Sequence, residues 1–87
     1  MYVILVYDMA TERVAKMLKL CRQYLNWIQN SVFEGELSEV KLQELILKAR
    51  ALMNEDHDSL IIFTSRHERW LDKQIIGNEK NSVDNFL

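Results

Sequence analysis

The sequence contains no proline and only two glycines, Gly35 and Gly77, in 87 residues. Collagen-like, low-complexity and linker-rich organisations are excluded, because each needs those residues in quantity. No internal repeat or domain boundary is visible, so the chain reads as one domain over 1–87 with 78–87 as a tail. Cys21 is the single cysteine, which rules out an internal disulfide, and the CxxC and CxxH spacings of structural zinc are absent. No stretch approaches the roughly 20 apolar residues of a membrane span. The opening apolar run stops at Asp8, too early for a signal peptide. A reducing, cytoplasmic setting with no membrane partner is the expectation. GxSxG, P-loop and glycine-rich dinucleotide motifs are also missing.

What is present is an ordinary globular composition, 48% hydrophobic and 28% charged. A core this small leaves about 3–5 kcal/mol of net stability. Disulfides and structural zinc are excluded, so a partner subunit is the expected aid. The net charge of −2 hides an uneven distribution. Residues 1–33 carry four Lys/Arg against two acids, residues 34–58 three against seven, and residues 59–87 four against four. Polyanion contact is therefore expected on the first helix rather than over the whole surface.

Tyr2-Val3-Ile4-Leu5-Val6-Tyr7 is β-branched, aromatic or aliphatic throughout and predicts a strand apolar on both faces, hence central. Thr11 is placed to cap a helix to about Tyr24, with Val14, Met17, Leu18, Cys21, Tyr24 and Leu25 as its apolar stripe. Trp27–Leu37 reads as strand material broken near Asn30-Ser31, a hairpin or a bulged strand. Ser38 caps a second helix that buries Leu42, Leu45, Ile46, Ala49, Leu52 and Met53. Ser59–Thr64 is a second double-sided strand. Ser65–Lys73, anchored by Trp70 and Leu71, is a short helix or loop, and Gln74–Gly77 a short, weak strand. The order is that of an α+β, ferredoxin-like split β-α-β domain with a short extra C-terminal strand. Two helices cover one sheet face only. A second copy of the chain is the simplest cover for the other, giving a symmetric homodimer.

Asp8 ends the first strand where the chain leaves the sheet. A carboxylate there can hold a divalent cation or act as a base, or simply serve as a turn acceptor. Arg13, Lys16, Lys19 and Arg22 fan over the polar side of the first helix, either as phosphate contacts or as a solvated face. Glu55-Asp56-His57-Asp58 lacks EF-hand spacing and reads as an acidic turn. His57 and His67 are isolated, and Cys21 reads as a small core residue.

Three segments resemble the second CRISPR-associated core protein family: Tyr2–Asp8 its opening strand, Ile28–Leu37 its central Q-x-S-V-F-E-G signature, and Asp58–Phe63 its late strand. Ile75–Asn81 is similar to the ending of a longer branch. The resemblance implies a ferredoxin-like homodimer that binds duplex DNA and bridges CRISPR integrase subunits during spacer acquisition. It also implies a Mg2+-dependent endonuclease (other divalent cations serving in its place) acting on RNA, single-stranded included, or duplex DNA. Asp8 would be the catalytic, metal-binding carboxylate facing its dimer mate, Arg13 the family's basic position in the first helix, and Ser31 and Phe33 signature residues. The segment after Asp8 departs from the pattern in lacking a second acid. Virulence-associated, toxin-type ribonucleases of the same fold are the alternative reading.

Overall fold

In a computed structural model, residues 1–67 and 74–77 are described. The elements run β1 (Tyr2–Asp8), α1 (Thr11–Arg22), β2 (Asn26–Gln29), β3 (Val32–Glu36), α2 (Glu39–Leu52) and β4 (Ser59–Ser65). They form an antiparallel sheet of order β2-β3-β1-β4. This is the expected ferredoxin-like arrangement, in which each helix connects strands that lie either side of a third.

Strand alternation divides β1 cleanly. Val3, Leu5 and Tyr7 are buried in one cluster with Phe33 of β3, Met17, Leu20 and Cys21 of α1, and Leu42, Leu45 and Ala49 of α2. Phe33 sits directly across from Leu5, and its ring stacks on that of Tyr7 with centroids 6.0 Å apart. Gly35, paired with Val3, lies against Leu25. A Cβ on it would come within 3.3 Å of the Leu25 side chain, so a glycine there lets the α1–β2 connection close on the sheet.

The other set, Tyr2, Ile4, Val6 and Asp8, points to the side opposite the helices. Across the ladder, Ile4 pairs with Glu34 and Phe63, and Val6 with Val32 and Ile61. Ile61 is 52% exposed and Phe63 55%. Ser59–Thr64 was expected as a central strand. Among the described residues β4 instead pairs with β1 alone, and its outward apolar residues Ile61 and Phe63 stand about half exposed.

Two local expectations change, and one left open is resolved. Thr11 is the first helical residue, not the cap. Ala10 holds the cap position, where no side-chain capping bond forms, and the Asp58 carboxylate accepts the Ala10 N–H instead. Trp27–Leu37 resolves into the hairpin, with a bulge between Trp27 and Gln29. Asn30 turns the chain at φ 44°, a left-handed conformation that asparagine tolerates, and its carbonyl accepts the Trp27 indole N–H at 2.8 Å. Gln74–Gly77 pairs with no strand among the described residues, and all four residues are exposed. Ser38 caps α2 as expected, accepting from the Lys41 N–H at 3.1 Å. The segment anchored by Trp70 and Leu71, and the tail, lie outside the described residues.

Candidate active site around Asp8

Asp8 is the last residue of β1, paired with Ser59 of β4, and exposed. It continues the row Tyr2, Ile4, Val6, so its carboxylate stands at the end of the sheet face opposite the helices. The turn of the β2–β3 hairpin is brought beside it, because the Tyr7 N–H donates to the Ser31 carbonyl at 3.2 Å and extends the β1–β3 ladder one step. Tyr7, Asp8, Met9, Val14, Asn30 and Ser31 line a shallow hollow of about 320 Å³. Of the two signature residues, Ser31 reaches this hollow. Phe33 is fully buried beneath it, where its stacking on Tyr7 supports the strand that carries Asp8.

Asp8, Asn30 and Ser31 offer hard oxygen donors on the hollow, the ligand type that suits Mg2+, which commonly keeps most of its waters and takes only one or two carboxylates. Among the described residues no three His, Cys, Asp or Glu side chains gather into a metal cluster. The donor chemistry fits one loosely held hard cation.

The basic residues of α1 are not equivalent. Lys16 and Lys19 are exposed. Arg22 stacks its guanidinium over the Trp27 ring, 5.8 Å from the centroid. Arg13, expected on the same free face, is instead turned into the protein. Its Nε donates to Asp58 Oδ2 at 2.6 Å and its Nη2 to Oδ1 at 3.0 Å. Its Nη1 reaches the exposed Glu12 at 3.3 Å.

Asp58 was read as one member of an acidic turn, and its side chain is fully buried. Besides the Arg13 fork, its carboxylate accepts the Ala10 N–H at 3.0 Å and the Asn54 N–H at 2.9 Å. Those bonds, led by the Arg13 fork, hold its pKa well below the usual carboxylate range against the opposing effect of burial. A sequence signal for this role existed: Asp58 immediately precedes an apolar strand, whereas Glu55 and Asp56 sit in the open turn. A second buried acid, Glu34 of the signature, accepts the Tyr2 hydroxyl on the side of the sheet opposite the helices. No helix among the described residues is long and apolar enough to cross a membrane.

Comparison with known proteins adds four findings. The family model described as CRISPR associated protein Cas2 matches residues 1–73. CRISPR-associated endoribonuclease Cas2 of Fusobacterium nucleatum is 46% identical, with all of this chain and 87% of that protein covered. The protein of the same name from Dictyoglomus turgidum is 44% identical over the whole of both chains. A crystal structure described as that of cas2 superposes with a TM-score of 0.85 at 44% identity, covering 95% of this chain and 93% of the other.

Proposed function

The chain belongs to the CRISPR-associated Cas2 family, and on that premise we propose that it is a homodimeric, divalent-metal-dependent endonuclease on RNA whose reacting centre is built on Asp8. The same dimer would bind duplex DNA and bridge integrase subunits during spacer acquisition. The observation that carries this reading is the position of Asp8, an exposed carboxylate at the end of the sheet face opposite the helices, where Ile61 and Phe63 stand about half exposed, beside a hollow that also presents Asn30 and Ser31. The family's named endoribonuclease activity in relatives spanning the full chain supports the same reading.

The division of labour follows from chemistry. Burying Ile4, Val6, Ile61 and Phe63 against the same residues of a second copy removes apolar surface from water and brings the two Asp8 residues toward one site. Asp8 would hold the cation, with Asn30 and Ser31 as further oxygen donors to its waters or to the substrate. A bound Mg2+ supplies charge neutralisation at the phosphate and a more acidic water. Lys16, Lys19 and Arg22 lie on α1, across the sheet from the dimer face, where they would track the nucleic-acid backbone independently of sequence.

Asp8→Asn keeps shape and removes charge. It should lower cleavage of a single-stranded RNA oligonucleotide by at least roughly 100-fold, with the sedimentation mass still twice that of the chain. Cleavage that persists in Asp8→Asn, or in EDTA, would overturn the site.

A further inference from the structure

We infer that Asp58 and Arg13 form a clamp that positions the Asp8 segment, and that Arg13 acts through this clamp rather than by touching phosphate. This rests on the reading of Asp8 as the reacting carboxylate. The chain makes a sharp passage at Asp8: it leaves β1, spans Met9 and Ala10, and enters α1 at Thr11. No side chain from within that passage caps the helix. The passage is held from outside, by one buried carboxylate that accepts four hydrogen bonds. Two come from the Arg13 fork in the first turn of α1, one from Ala10 in the passage, and one from Asn54 at the end of α2.

The geometry bears directly on Asp8. Asp8 and Ser59 face each other across the β1–β4 ladder. Asp58 adjoins Ser59, and Ala10 follows Asp8 by two residues. The clamp therefore grips both chains just beyond the last pair of the ladder, where strand ends otherwise fray. Arg13 has two of its donor groups committed to Asp58, and the side-on, bidentate geometry is the one that a guanidinium provides and an ammonium cannot. A phosphate would have to compete with a fully desolvated carboxylate for that fork.

Three variants and one conservative control test this: Asp58→Asn, Arg13→Gln and the double, with Arg13→Lys beside them. A positioning role predicts that each single variant lowers kcat on single-stranded RNA by about 10- to 100-fold, with KM and the salt slope of binding unchanged. The double variant should be no worse than the worse single one, since both remove one unit. Arg13→Lys keeps the charge pair and guards against misfolding of the others, and it should retain only part of kcat. Amide hydrogen exchange provides a readout independent of cleavage. In Asp58→Asn, residues 9–13 should lose about 10-fold or more of their protection while β1 and β3 keep theirs. The inference is overturned if exchange at 9–13 is unchanged. It is equally overturned if Arg13→Gln raises KM and lowers the salt slope by about 0.7 while Asp58→Asn does neither, for then Arg13 meets phosphate. Should the wild type leave RNA intact, the Asp8 reading falls, and the exchange result still decides the clamp.

Discussion

The two faces of one sheet have opposite fates. On the helix side, Val3, Leu5 and Phe33 are wholly enclosed, and the polar group nearest the rim, Asp58, has a donor for each available direction. On the other side, Ile61 and Phe63 stand half exposed, and the acid at the rim, Asp8, is open to water. The same strands supply both faces, so the difference is not one of strand propensity. It comes from what the connections carry: both helices cross on one side, and among the described residues no third helix lies on the other. The enclosed face holds the fold together, whereas half-exposed Ile61 and Phe63 and exposed Asp8 mark where the proposed partner and chemistry would lie.

The largest effect should come from truncating the enclosed aromatic. Phe33→Ala removes a ring packed between β1 and the helices, at a cost of about 3–5 kcal/mol. Set against a total of about 3–5 kcal/mol for so small a core, it should leave little folded chain. Phe63→Ala on the uncovered face should shift the unfolding midpoint of dilute monomer by no more than about 0.5 kcal/mol. Denaturant titration of both variants at low protein concentration checks the contrast. Equal losses would mean that the second face is covered within the single chain.

Next in size is assembly. Phe63→Glu places a carboxylate where the proposed dimer would have to desolvate it without a partner. Sedimentation at micromolar concentration should move from twice the chain mass to the chain mass, with the far-ultraviolet spectrum unchanged. A dimer that survives this substitution would use another surface.

The Asp58 clamp should show itself under acid. Because the Arg13 fork and two backbone donors hold the Asp58 pKa low, the folded state binds fewer protons than the unfolded chain, whose aspartates titrate near about 3.9. The stabilisation from Asp58 is therefore complete above that value and is lost as pH falls from about 4 toward the folded pKa. Asp58→Asn should be less stable than wild type at neutral pH, with a flatter acid limb, and the two curves should converge in strong acid. Parallel curves would show that Asp58 is not the group that titrates.

Much of this organisation was legible in residue order. Tyr2–Tyr7 and Ser59–Thr64 announced strands because every position is apolar or β-branched, and Ser38 announced a helix because its hydroxyl caps one. The placement of Asp8 at a strand end followed from the same pattern. What could not be read locally depends on residues far apart in sequence. Asp58 and Arg13 are separated by 45 positions, and each taken alone looks like a solvated charge. Thr11 failed as a cap for the same reason, since the acceptor at that helix start comes from the α2–β4 turn. The central role expected of β4 was misjudged because an apolar run signals burial without saying whether the cover lies in the same chain. Asn30 drew notice only as a break between strands, although the turn it makes sets one wall of the hollow beside Asp8.

The smallest effect sharpens the contrast from the enclosed side. Cys21 lies on the buried stripe of α1 with no solvent exposure, and burial pushes its thiol up to about 12 from an ordinary value near 9.0. At pH 8 the native protein should therefore hold a neutral thiol out of reach of a disulfide reagent, because the thiolate is the reacting form. Labelling should proceed no faster than global unfolding, and denaturant should make it prompt. Above neutrality the linkage runs opposite to that of Asp58: the unfolded chain loses the Cys21 proton first, so stability declines as pH rises from about 9 toward about 12. The Tyr7 hydroxyl, raised by the same desolvation, adds to the decline at its upper end. Cys21→Ala should remove the lower part of that slope at the cost of a small packing defect. Rapid labelling of the native chain would mean that the helix side opens far below the unfolding threshold, and the two faces would then differ in degree rather than in kind.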